Sequence, residues 1–106
     1  MATGYVTVPR KLSQDIAHKI IENHLAACVN IVECNSVYEW ENEIQNEKEA
    51  ILIIKTSEQK FEDLVLEIKN WIPYEIPCIE RFDEDWIDGK FKEWRDEFVD
   101  VRRKST

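Results

Sequence analysis

Residues 50–54 read Ala50-Ile51-Leu52-Ile53-Ile54, an unbroken apolar run between a charged stretch at 41–49 and Lys55-Thr56. Five residues suit a strand and are too few for a helix of ordinary length, and the missing polar alternation predicts a central strand covered on both faces. Upstream, Tyr5-Val6-Thr7-Val8 is β-rich and ends at Pro9, a residue that cannot donate to a ladder. Ser13 is placed as an N-cap with Asp15 in the first turn, and Leu12, Ile16, Ala17, Ile20, Ile21 and Leu25 recur at helical spacing. The pattern predicts a helix over 13–25. Residues 28–32 and 37–40 read as strand, and the polar residues 41–49 as the connection into the apolar run.

Downstream, Thr56 with Gln59 has the form of a capping box, with Ser57 the alternative cap. Phe61, Leu64, Val65, Ile68 and Trp71 form one helical stripe. Residues 76–82, opened by Pro77, predict a last strand; Ile87, Phe91, Trp94 and Phe98 then fall on one face of a C-terminal helix. The order is strand, helix, strand, strand, helix, strand, helix. Two interleaved βαβ-type crossovers in one antiparallel sheet predict an α+β, ferredoxin-like βαββαβ sandwich with an added C-terminal helix.

The 106 residues fit one domain over 1–106, with a core at about 4–98 and a basic tail at 99–106. The net charge of −8 argues against nucleic acid, whose binding leans on phosphate neutralisation by Lys and Arg. No stretch approaches the roughly 18 apolar residues of a membrane span, and no secretory signal opens the chain. Cys28, Cys34 and Cys78 are odd in number and lack zinc-type CxxC spacing, so reduced thiols in an intracellular, cytoplasmic setting are expected.

Four stretches then stand in a distinctive order: Leu25-Ala26-Ala27-Cys28-Val29-Asn30, Ser36-Val37-Tyr38-Glu39-Trp40, Ile53-Ile54-Lys55-Thr56 and Pro73-Tyr74-Glu75-Ile76-Pro77. Together they resemble the CutA (CutA1) family of divalent-cation tolerance proteins, from about Tyr5 to Phe98. The resemblance implies a tight homotrimer, a non-enzymatic role, and binding of copper or another divalent cation with no organic cofactor. It also implies that a β-hairpin spanning about 28–56 reaches the neighbouring subunit. Asn42 stands where the family usually has Gly, Ile72 where it has His before the Pro-Tyr pair, and Cys78 where a Glu is common. The last two changes remove metal-binding side chains.

Soft thiolates suit copper, which makes Cys34 and Cys78 the candidate metal ligands, with Cys28 as a third. On one regular strand Cys28 and Cys34 share a face but lie about 20 Å apart, far beyond a shared metal with sulfur bonds of about 2.3 Å. His18 and Glu22 are one helical turn apart; His24 is expected at the core edge of the same helix. Asp83-Glu84-Asp85 with Asp88 is the densest acidic group, without the glycine and spaced donors of a calcium loop, and reads as a charged turn before a helix. Tyr38, Trp40, Trp71, Tyr74, Trp86 and Trp94 are more large aromatics than one small sandwich hides. Tyr38, Trp40 and Trp94 are therefore assigned to a trimer interface. Two alternative readings are a trimeric scaffold for an unidentified protein partner and a PII-like small-ligand sensor, the latter lacking a glycine-rich phosphate loop.

Overall fold

The computed structural model describes residues 2–104, with side chains through Asp100. Strand β1 (Ala2–Pro9) passes through a 3-10 turn (Arg10–Leu12) into helix α1 (Ser13–Glu22). Strands β2 (Cys28–Trp40) and β3 (Glu43–Thr56), helix α2 (Glu58–Trp71), strand β4 (Ile79–Phe82) and helix α3 (Gly89–Lys104) follow. The sheet order is β2-β3-β1-β4, and every neighbouring pair is antiparallel. The fold is therefore α+β, one antiparallel sheet with three helices, and β3 sits between β2 and β1 as the apolar run requires.

Only one side of that run is closed. Ala50, Leu52 and Ile54 are fully buried with Ala2, Val6 and Val8 of β1, Ile16 and Ile20 of α1, and Phe61, Leu64 and Ile68 of α2. Ile51 and Ile53 point to the opposite face and stay half-buried. The expected cover on both faces is thus corrected, because α1 and α2 pack on the same side. Part of the second face is closed by α3. Its buried Arg95 reaches Glu84, whose other contact is the Thr3 hydroxyl on that face of β1.

Three local corrections have clear causes. Helix α1 ends at Glu22 rather than residue 25, because the Leu25 amide bonds to Ile20 O and the His24 amide to Ile21 O, each at 3.0 Å. This is a Schellman terminator with His24 at φ 54°, so His24 closes the helix instead of lying on its face. Residues 43–49 are strand, not a loop. Trp40 pairs with Glu43 across a two-residue turn in which Glu41 (φ 51°) and Asn42 (φ 66°) are both left-handed, a geometry matched to strand twist. A hairpin arm exposed on both sides needs no apolar alternation, which is why its sequence resembles a loop. Finally, β4 is only Ile79–Phe82, since Pro73 and Pro77 keep residues 72–78 out of the ladder except for the Thr7 amide bond to Cys78 O.

Ser57 caps α2 by accepting the Lys60 amide at 3.2 Å, while the Thr56 hydroxyl donates to Leu25 O at 2.6 Å. Ile72 turns extended before Pro73 and ends α2. Helix α3 continues to Lys104, within the segment expected as a tail; Ser105 and Thr106 lie outside the described residues. Leu52→Ala, in the closed layer, is expected to lower stability by about 2–5 kcal/mol. Leu66→Ala, on the exposed side of α2, should stay within about 0.5 kcal/mol; urea denaturation of the two variants checks the contrast.

Candidate functional site

The half-covered face of the sheet carries a groove of about 420 Å³. Its floor is Thr7 of β1 and Glu49 of β3; one wall is Tyr38 and Trp40 from β2, and the other is the 73–78 loop with Tyr74, Glu75 and Cys78. Backbone register explains the convergence. Tyr38 and Trp40 alternate onto the face that holds Cys34 and its cross-strand partner Glu49, and Glu49 pairs in turn with Pro9 two residues from Thr7. The Pro-Tyr-Glu-Ile-Pro stretch, unable to join the ladder fully, folds over the same surface.

Glu49 is the buried charge of the groove, with 6% of its surface exposed. The Tyr74 hydroxyl donates to its carboxylate at 2.5 Å, a short charge-assisted bond. Burial pushes the Tyr74 phenol far above its ordinary value of 10.0, and the bond to Glu49 and that carboxylate's charge push it the same way. Tyr74 is therefore a hydrogen-bond donor, not a base, at any physiological pH. Arg10 braces this end of the sheet, donating to the carbonyls of Cys34 (2.6 Å) and Glu49 (3.3 Å). Sequence reading passed over Glu49 because it closes a charged stretch that reads as a loop. Its place immediately before the apolar run was the available signal.

The three cysteines are free thiols, Cys28 and Cys34 half-buried and Cys78 exposed. Strand β2 is regular from Cys28 to Trp40, so those two sulfurs share a face at the expected separation of about 20 Å. Cys34 lies on edge strand β2, whereas Cys78 leads into the other edge strand, β4. Three strand spacings, roughly 14 Å, separate them across the sheet. Among the described residues no group of three or more His, Cys, Asp and Glu side chains could hold a metal ion.

His18 Nδ1 is 2.8 Å from Gln14 O, a bond within its own helix. His24 stacks on Phe98 with ring centroids 4.6 Å apart. The acidic turn is committed to structure: Asp83 takes a 2.8 Å bond from Arg81, which holds its carboxyl below the usual range. Asp88 accepts the Lys90 and Phe91 amides as the N-cap of α3. Arg95, 1% exposed, binds Glu84 and Asp96; burial opposes ionisation of Asp96, but the bonds from Lys92 and Arg95 outweigh it and lower its pKa. No periodicity marks Arg95 as a buried residue. Of the aromatics, Trp71 and Tyr74 pack against the core, while Tyr38, Trp40, Trp86 and Trp94 remain exposed.

A four-stranded antiparallel sheet with this crossover pattern, a long hairpin arm and a groove built from the Tyr-Glu-Trp and Pro-Tyr-Glu-Ile-Pro stretches define a CutA-type subunit. Residues 2–97 match the family described as CutA1 divalent ion tolerance protein, and the chain belongs to that family. It is 33% identical over 95 residues to the divalent-cation tolerance protein CutA of Pyrococcus horikoshii, covering 89% of this chain and 93% of that one. It is 39% identical over 92 residues to the chloroplastic CutA of Arabidopsis thaliana, covering 85% of this chain but only half of that longer protein. Among solved structures, the PII-like protein CutA from Nostoc superposes with TM-score 0.89 at 28% identity, over 93% of this chain and 97% of that one. The periplasmic divalent cation tolerance protein CutA of Archaeoglobus fulgidus gives 0.88 at 35%, over 93% and 99%. No helix among the described residues is long and apolar enough to cross a membrane.

Tyr74→Phe leaves the buried Glu49 carboxylate without its recorded donor and should lower stability by about 1–3 kcal/mol near pH 7. The folded phenol holds its proton more tightly than the unfolded one, so its contribution is complete below pH 10.0 and declines as pH rises beyond it. Spectrophotometric alkaline titration should show Tyr74 ionising late, with unfolding, and Tyr74→Phe should remove that late step.

Proposed function

We propose that the chain works as a non-enzymatic homotrimer that binds divalent metal, copper foremost, through thiols brought together between subunits. The observation that carries this reading is the placement of Cys34 and Cys78. They face the same side of one sheet from its opposite edges, out of reach of each other within a subunit. The strand directions make β2 antiparallel to β4, so the β4 edge of one copy set against the β2 edge of the next continues the sheet. That arrangement brings the two thiol-bearing edges together and satisfies strand edges that otherwise invite uncontrolled pairing. Paired thiolates are soft ligands, the donor type that suits copper among the first-row metals. Cys28, about 20 Å from Cys34 along β2, lies too far to share that ion and would take part only through a separate contact.

Assembly draws on Tyr38, Trp40 and Trp94, which are 43%, 40% and 50% exposed, and on the hairpin arm, whose Val37 and Ile44 are also exposed. The family's link with divalent cations supports the metal half of the reading, and three free thiols favour a reducing, intracellular compartment.

Sedimentation at micromolar concentration should give the mass of three chains, and Trp40→Asp should give monomer or aggregate; a well-behaved single subunit, or an unaltered trimer in the variant, contradicts the interface. Equilibrium dialysis against Cu(I) and Cu(II) should show saturable uptake that Cys34→Ala and Cys78→Ala each abolish. Uptake indifferent to both changes rejects the thiol site. A trimer without copper uptake leaves the scaffold for a protein partner as the better reading.

A further inference from the structure

We propose that the Arg95–Glu84 ion pair sets the roll of helix α3, holding its aromatic stripe outward for a neighbouring copy of the chain. Without the pair, α3 turns on its axis and buries that stripe on its own sheet. The neighbour rests on the assembly reading above; the roll is a property of one chain.

Helix α3 buries a face other than its apolar one. Phe91, Trp94 and Phe98 form the apolar stripe, and hydrophobic burial by itself would turn that stripe to the sheet. The side chains buried instead are Arg95 and Val99, at 1% and 0% exposure. At about 100° per residue, these two lie roughly a quarter turn around the helix from the stripe. Phe91 and Trp94 stack on each other with ring centroids 5.8 Å apart and remain exposed, while Phe98 stacks on His24.

Charge holds this seat. Arg95 Nη1 lies 3.5 Å from Glu84 Oε1, and Arg95 Nε donates to Asp96 at 3.1 Å. Asp96 adjoins Arg95 on the same helix and travels with it in any roll, so Glu84, on the turn before α3, is the fixed anchor. The Thr3 hydroxyl ties that anchor to β1, donating to the same oxygen at 2.9 Å. The other oxygen, Oε2, is buried without a partner among the described residues. A buried guanidinium is strongly unfavourable once its carboxylate is gone, and a partly satisfied polar cluster holds only narrowly against an apolar alternative. Half-buried Tyr5, Ile51 and Ile53 on the open face supply that alternative. At the start of α3, a side chain added at Gly89 would meet nothing within 4 Å, so no packing contact pins the helix there. With the pair intact, Phe91 and Trp94 face away from their own sheet, the orientation that an assembly contact through Trp94 needs. Arg95 and Glu84 are thus positioning residues, acting through the helix that carries the aromatic rings.

Crystal structures and sedimentation velocity of the full chain test the roll, comparing wild type with Glu84→Leu/Arg95→Leu, which removes both charges and leaves neither partner alone. In wild type, Arg95 is expected to face the sheet, with three chains per particle at micromolar concentration. In the double variant, Trp94 is expected to face Ile51 and Ile53 of its own chain, with assembly weakened at least tenfold. Arg95→Lys keeps a cation for Glu84 and should keep both the wild-type seat and the assembly. If the double variant does not fold, Glu84→Gln serves: its NMR spectrum should show two Trp94 indole signals, one per seat, against one in wild type. The proposal is overturned if Trp94 stays outward in the double variant, if Arg95→Lys also rolls, or if Glu84→Gln shows the wild-type signal alone. A rolled variant that assembles like wild type overturns the link to the neighbour. A wild type that remains a single chain overturns the assembly reading, while an inward Trp94 in the double variant still upholds the roll.

Discussion

Strand β3 pairs along its inner half with β1 and along its whole length with β2, and the rest of the molecule follows from that double pairing. The inner residues 50–54 alternate between a sealed core and an open face. Beyond Glu49 the strand leaves β1 behind and continues with β2 alone as a two-stranded arm. Glu49 thus occupies the corner where three-stranded sheet becomes two-stranded ribbon. A side chain at that corner is buried by the 73–78 loop while still facing the space under the arm. The length of the arm gives the subunit its 48 Å long axis.

The two faces of the sheet do different work. One is filled by α1 and α2 with aliphatic side chains, a layer whose dispersion and burial stabilise the subunit. The other is closed only at one end, where α3 brings Arg95 against Glu84 and Asp96. A buried cation there is tolerable because two carboxylates surround it. At the far end the same face carries the buried Glu49 carboxylate, bonded to the Tyr74 hydroxyl and, among the described residues, to no basic side chain. The contrast between these ends gives the groove its chemical character.

The thiols illustrate how topology decides what residue type alone cannot. Cys34 and Cys78 are 44 positions apart in sequence and would be paired readily on paper. The strand order places β3 and β1 between them, so the two thiols stand at opposite edges of one sheet. Similarly, His24 reads from the sequence as a core-edge residue of α1, but the left-handed turn at His24 takes its ring to Phe98.

Much was legible in the sequence by itself. The apolar run at 50–54, the stripe from Phe61 to Trp71 and the crossover lengths determine the sheet and the order of its elements, because periodicity reports which side of an element loses water; the family resemblance rests instead on the four stretches between Leu25 and Pro77. The extent of the hairpin, the end of α1, the half-open second face and the burial of Glu49 and Arg95 were settled only by the tertiary structure. These depend on which surfaces meet across the fold, and a charged residue carries no local mark of whether a distant loop or helix will cover it.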